Sequence, residues 1–395
     1  MSTRRLFAVL LAFLVLVLAA CGQGGAGSDT TAAGDETEAA ESTGTPAGSP
    51  AADAGPSGAA TAGAATGEVT IDDVEPLEEE ATLRLAVSGN QILALPLFLA
   101  LDKGWFAQAG LDVQPDVYRG SSNEQIPRMA TGDIDVSLAT PSPALFNQIS
   151  EDFGIQLVAS LGEEMEGRIT SAWLMVLPGL EDELVEPADL EGRRVEGARE
   201  GSPPALLVDQ ALEEAGLTEE DVQLTYRVQS PPDMLALAEA QAADVVAMNE
   251  PLATQAEQAG VAVRWLGVPD VMPWFQPGLL AASPTYLEQN PEAVEKFLEV
   301  YLVASRYVNS FEGEWDPELL EVVESNLETS PEQITAQGGV PFFSPTGEIL
   351  TDSLERSQQI FIEDGLLENE IDVTDLVAED PLAGAVAGLE GGGDR

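Results

Sequence analysis

Histidine is absent from this 395-residue chain, and cysteine occurs once, as Cys21. The first absence removes imidazole acid–base catalysis, Ser-His-Asp triads and histidine-ligated metals. The second removes disulfide frameworks, zinc ribbons and thiolate-held clusters. Lysine occurs only as Lys103 and Lys296, and Lys plus Arg number 16 against 69 acids, a formal charge of −53. Phosphate binding needs clustered bases, so the composition argues against a nucleic-acid partner. No metal and no cofactor is expected. What remains is apolar enough, at 44%, to build a core rather than a disordered chain. At about 150 residues per domain the length suggests two or three domains.

The lone cysteine has a context. Arg4 and Arg5 precede an apolar run from Leu6 to Ala20, which ends Leu18-Ala19-Ala20-Cys21. A basic start, a short greasy stretch and small residues before a cut read as an export signal. The stretch is short for a membrane span. Leu-Ala-Ala-Cys resembles the bacterial lipobox, which implies that residues 1–21 are a lipoprotein signal and that Cys21 is acylated, anchoring the protein to the outer face of the cytoplasmic membrane. A plain signal peptide and a signal anchor are the alternatives. Thr3-Arg4-Arg5-Leu6-Phe7 touches the twin-arginine pattern; the greasy run favours the general secretory route.

Residues 22–80 hold 13 acids, no Lys or Arg and few large apolar side chains. Such a segment is expected to be a disordered acidic tether, about 40 Å across as a flexible coil of this length. The Gly-rich tail, 381–395, is also expected to be loose. Beyond the signal and tether, 56 acids and 14 bases still leave about −42. The acidity is therefore general, which suits a saline exterior or reflects a GC-rich genome.

From Ala81 onward short apolar strands alternate with helices. Thr82–Val87, Leu111–Tyr118, Ile134–Leu138 and Ile155–Ser160 read as strands separated by helical segments. The rhythm restarts with Trp173–Leu177, Arg194–Gly197, Val222–Val228, Asp244–Met248 and Val261–Gly267. Pro277–Ala282 adds one more strand, and the remainder reads as helical, with Glu288–Tyr307 and Ser353–Ile362 the clearest amphipathic stretches. Alternation of this kind predicts α/β architecture with mostly parallel sheets flanked by helices. Lobe one is placed at 81–170, lobe two at 171–270, and a return to lobe one with C-terminal helices at 271–380. The crossings fall near 161–176 and 266–277.

An ordered series of motifs now points to a family. Leu97-Phe-Leu-Ala-Leu-Asp-Lys-Gly-Trp-Phe106, Gly110-Leu-Asp-Val113 and Thr131-Gly-Asp-Ile-Asp-Val136 are followed by Asp189-Leu-Glu-Gly-Arg-Arg-Val195, Gly201-Ser-Pro203, Glu214-Ala-Gly-Leu217, Pro232-Asp-Met234 and Asn249-Glu-Pro251. The series, over roughly 82–310, resembles the nitrate/sulfonate/taurine-type substrate-binding proteins, the SsuA-like group. The resemblance implies a two-lobed type II periplasmic-binding-protein fold that closes on a small-molecule ligand and delivers it to an ABC permease with its cytoplasmic ATPase. A monomer without enzymatic activity is expected. Glu196 departs from the small apolar residue usual at that strand end.

In open α/β sheets ligands lie beyond the carboxyl ends of the strands, where helix N-termini offer free N–H groups and partial positive charge. Four such ends can be named: Ser88, Gly89, Asn90 and Gln91; Gly120, Ser121, Ser122 and Asn123; Thr140 and Ser142; Gly201 and Ser202. Together they can cradle a carboxylate or sulfonate, although each residue type also caps helices everywhere. Asn249 and Glu250 form a fifth element, with Glu250 equally suited to a helix start. Trp274 and Phe275 are expected as exposed aromatics at the cleft mouth. Arg119 is the best-placed cation for an anionic ligand, with an ordinary surface role as the alternative. Trp105 and Trp173 read as core, and Glu163, Glu164 and Glu166 as a solvated acidic loop. Two rivals stand beside the importer reading: a tethered receptor that senses ligand, and an enzyme of the pyrimidine-precursor synthase type, which depends on histidine and a Cys-rich motif absent here.

Overall fold

The computed structural model describes residues 70–119, 122–150, 154–226 and 231–392. Cys21, the signal and most of the tether lie outside them, as do Gly120, Ser121 and the side chain of Asn123.

Two five-stranded sheets carry the fold. The first contains β1 (Ala81–Ser88), β2 (Leu111–Tyr118), β3 (Val136–Ala139), β4 (Gln156–Ser160) and β10 (Leu279–Ala282), in the order β2-β1-β3-β10-β4. The second contains β5 (Ala172–Val176), β6 (Arg194–Glu196), β7 (Gln223–Thr225), β8 (Val245–Asn249) and β9 (Val263–Gly267), in the order β7-β6-β8-β5-β9. The central strands are covered on both faces, so they read as continuous apolar runs: all four residues of β3 are buried, as are Val245 to Met248 of β8. In each sheet the strand that arrives from the other lobe takes the fourth place and runs antiparallel to both neighbours, β10 between β3 and β4, β5 between β8 and β9. Two crossings, residues 161–171 and 268–278, join the lobes.

Leu93 ties the crossings to the first lobe. It follows the β1 loop in a short 3-10 turn, Ile92–Ala94. A Cβ on Gly162 would lie 2.8 Å from Leu93 Cδ2, and one on Gly278 3.1 Å from its Cδ1. Each crossing thus presents a residue without a side chain to the same leucine. Gln276, fully buried, completes the junction: its Nε2 donates to Ser160 Oγ (3.0 Å) and to the Glu348 carbonyl, and its Oε1 accepts from the Leu350 amide (3.1 Å).

Behind the first sheet runs the longest helix among the described residues, Pro291–Asn309. Its apolar face brings Phe297 onto Phe106, stacked at 5.2 Å, and its buried Tyr301 hydroxyl donates to the Ser160 carbonyl. Burial pushes that phenol's pKa up.

Three expectations need correction. The tether does not extend to residue 80. Residues 70–80 lie on the first lobe, with Ile71 and Val74 in its core and the Leu77 amide donating to the Ala109 carbonyl. Ile71, Val74 and Leu77 supply enough apolar surface to offset the ordering of their short segment, whatever the surrounding acidity. The described part of the tail is not loose either: Glu379–Gly392 is a helix whose Ala385 and Leu389 are buried. Cβ atoms on Gly384 and Gly388 would come 2.5 and 2.7 Å from the carboxylates of Glu295 and Glu299. Glycines four apart form a stripe that lets this helix approach Pro291–Asn309 closely. The third correction concerns the acidic loop. The Glu164 carboxylate accepts from Thr170 Oγ1 and from the Ser171 amide (3.0 Å), and Glu163 N–H donates to the Phe342 carbonyl. Desolvation raises the pKa of both acids, so they belong to the packed crossing; Glu166 is exposed.

Candidate functional site

The segments that follow β3 and β6, one in each lobe, meet at the junction between the lobes. After β1 the chain turns at Ser88, which is fully buried and whose Oγ donates to Asn90 Oδ1. The Gly89 amide donates to the Tyr118 carbonyl, and its own carbonyl accepts from the Glu328 amide (2.9 Å). Asn90 is exposed, and the Gln91 side chain does not cap the turn it precedes. Ser122 and Thr140, from the loops after β2 and β3, meet with their hydroxyls 3.4 Å apart. Ser142 Oγ accepts from the Leu145 amide (3.3 Å) at the start of the helix Pro143–Ser150. Ser88, Asn90, Ser122, Thr140 and Ser142 are thus neutral groups from these three loops, while Arg119 and Glu124 of the β2 loop are exposed.

In the second lobe the helix Pro203–Ala215 starts after Gly201 and Ser202. Ser202 Oγ donates to the Arg199 carbonyl instead of capping the helix. Gly201 is buried at φ +70°, and a Cβ there would fall 2.7 Å from Pro143 Cγ and 3.1 Å from Leu366 Cδ1. The starts of Pro143–Ser150 and Pro203–Ala215, one from each lobe, thus face each other at a point where no side chain fits. This juxtaposition brings Ser142 and Gly201 into one place.

Other candidates are placed elsewhere. Arg119 is 78% exposed and forms an ion pair with Glu328, so it is engaged on the surface. Glu250 is 5% exposed and accepts from Arg264 (2.9 Å), from Thr254 Oγ1 (2.8 Å) and from the Thr254 amide (3.1 Å). Arg264 also pairs with Glu257 at 3.0 Å and lies over the Trp173 ring at 5.3 Å. Glu250 is the acceptor of a structural network, with Asn249 beside it at the exposed end of β8. Phe275 is 1% exposed and belongs to the core. Trp274 is half-buried beneath the Arg356 guanidinium, 4.5 Å from its ring centre. The aromatic pair reads as a cleft mouth only while the C-terminal helix is left out of account.

That helix, Thr351–Glu363, is what residue-by-residue reasoning missed. Phe361 meets Phe146 of lobe one edge-on at 6.0 Å. Arg356 donates to Gln210 of lobe two at 2.6 Å. Ser353 Oγ accepts from the Gln276 amide at 2.9 Å. Its amphipathic pattern was visible; that it serves both lobes was not, because its apolar face does not say which partners it covers. Glu196 lies fully buried at the end of β6 and accepts from Thr225 Oγ1 at 2.7 Å.

Two sheets of this order, joined by two crossings with helix starts opposed between them, define the two-lobed type II periplasmic-binding-protein fold. Residues 92–310 match the "NMT1/THI5 like" family, and with more than half of its length matched the chain belongs to that family. Solved structures share the architecture. The periplasmic aliphatic sulphonate-binding protein SsuA of Escherichia coli superposes with a TM-score of 0.62 at 17% identity, over 75% of this chain and 92% of its own. A putative sulfonate-binding SsuA of Methylobacillus flagellatus KT gives 0.62 at 18%, over 79% and 95%. The periplasmic nitrate-binding protein NrtA of Synechocystis PCC 6803 gives 0.58 at 16%, over 78% and 89%. At these identities the likeness establishes the fold. No curated protein sequence matches the chain.

Proposed function

We propose that the protein is the solute-binding component of an ABC importer. It holds a small organic molecule, a sulfonate-like anion or a heterocyclic precursor, between its lobes and delivers it to a permease driven by a cytoplasmic ATPase. It acts outside the cytoplasmic membrane as a monomer, anchored through an acylated Cys21, and binds its ligand without transforming it. The observation that carries this reading is the opposition of two helix starts, Pro143–Ser150 and Pro203–Ala215, at the lobe junction. Helix N-termini present N–H groups and positive potential, and both lobes must contribute if closure is to depend on ligand. The sulfonate- and nitrate-binding names of the similar structures support a small polar ligand. Recognition then rests on backbone amides and hydroxyls, because Arg119 is turned to Glu328.

A thermal-shift panel of alkanesulfonates, taurine, nitrate and pyrimidine precursors tests the proposal. A ligand at 100 times its Kd stabilises by about 2.7 kcal/mol. For a compound that shifts the transition, Ser142→Ala and Ser202→Ala should each weaken binding by roughly three- to a hundred-fold, by calorimetry. Arg119→Ala should not. A panel without any shift, in protein stripped by partial unfolding, overturns the reading.

A further inference from the structure

We propose that the joint between the helix Pro203–Ala215 of lobe two and the C-terminal segment 351–366 is a proton-operated clasp, tight in acid and looser towards neutral and alkaline pH. The joint is built by geometry. Arg356 reaches Gln210 at 2.6 Å and Glu213 at 3.5 Å. Leu366 packs against Gly201, where no Cβ fits. Phe361 and Phe146 carry the same segment onto lobe one. The segment therefore grips both lobes, and they cannot separate at this point without breaking one of the two grips.

Carboxyls crowd one side of the joint. Asp209, on the lobe-two helix, accepts from the Tyr226 hydroxyl at 3.3 Å, and the same hydroxyl stands 3.4 Å from Glu219. Asp364 lies at the end of the C-terminal segment, close enough for its charge to act on Asp209. Glu219, Glu363 and Glu200 act in turn on Asp364. The cation that the segment brings to this face, Arg356, is already shared among Gln210, Glu213 and the Trp274 ring. Burial, then the charges of Asp364 and Glu219, push the Asp209 pKa up to about 7, against a lowering by Tyr226. Partial burial and the neighbouring acids push Asp364 up to about 6. Asp364 is exposed at the rim, where water and salt screen it, so Asp209 carries the larger share.

The direction follows from linkage. Both carboxyls have raised pKa values in the joined state, and opening the joint to water separates their charges and hydrates them, which lowers both. The joined state therefore holds protons that the open state releases. The contribution of these two carboxyls to the clasp is full below pH about 4, is lost as pH rises to about 7, and stays lost above. This behaviour belongs to the protein without ligand and does not depend on what the cleft binds.

Hydrogen exchange on the full chain at pH 5 and pH 8, with rates corrected for intrinsic exchange, tests it. Protection of the amides in 203–215 and 354–366 should fall about tenfold to a hundredfold between the two. Amides of the helix Pro291–Asn309 should keep theirs. Asp209→Asn, a neutral isostere, should leave the joint protected at both values, and Asp364→Asn should reduce the fall partway. Equal joint protection at pH 5 and pH 8 in the natural chain overturns the proposal, and so does an undiminished fall in Asp209→Asn. Should that variant lose protection throughout the molecule, Asp364→Asn decides: an undiminished fall there is equally fatal.

Discussion

The two lobes share a strand order and differ in what stands at their strand ends. In the first, Ser88, Asn90, Ser122 and Thr140 are neutral and bond mainly with one another, and Arg119 is exposed and paired with Glu328 on the surface. In the second, Glu196 and Glu250 are buried carboxylates, one accepting from Thr225 and the other answered by Arg264. Topology decides where a chain can place a ligand; it does not decide with what chemistry. A neutral rim needs only hydrogen bonds to be satisfied. A charged rim must also bring partners, which ties its residues to the scaffold and leaves fewer for a ligand.

This contrast can be broken by substitution. Arg264→Met should have the largest effect, because it strands Glu250 at 5% exposure; losing one partner of a buried pair costs about 3–5 kcal/mol. A loss below about 1 kcal/mol in urea unfolding would mean that pairing does not organise the second lobe. Gly201→Ala should cost about 1–2 kcal/mol from its left-handed backbone alone, and more from the contact with Pro143. Because that contact joins the lobes, scattering should also show a larger radius; an unchanged radius would deny that the helix starts are apposed. In the neutral lobe, Thr140→Val should cost about 0.5–1.5 kcal/mol, the value of an ordinary hydrogen bond. A larger loss would show that the Ser122–Thr140 contact anchors its loops as firmly as a charge pair. Arg119→Ala should be smallest, at most about 1 kcal/mol, since its pair with Glu328 is exposed, and guanidine chloride should erase even that.

The architecture was legible because strand and helix periods are local. Leu111–Tyr118 is a strand of just those residues, and every other expected strand has a counterpart in the sheets. The motif series pointed to the family for the same reason, since each piece is a short stretch of helix, turn or strand end. Distant pairing was not legible. Glu328 takes Arg119 from more than 200 positions away, and nothing near Arg119 announces it. Gly384 and Gly388 looked like loose composition because the surface they fit, Glu295 and Glu299, lies on another helix. Trp274 and Phe275 are neighbours in sequence, yet one is covered by Arg356 and the other is sealed in the core. Asp209 and Asp364 carried no local sign, because a carboxyl's pKa depends on what is folded over it.

Leu93 behaves as a bearing on which both connections between the lobes ride. Its two methyls occupy the ground that side chains at positions 162 and 278 would need, so those positions and 93 form a three-way constraint on acceptable sequences. Enlarging either glycine loads the other connection through the same leucine. Trimming the leucine frees both connections together, and also unseats the turn that follows Ser88 to Gln91. The two connections and the turn after the first strand are therefore coupled in this protein through one apolar side chain that makes no hydrogen bond and carries no charge.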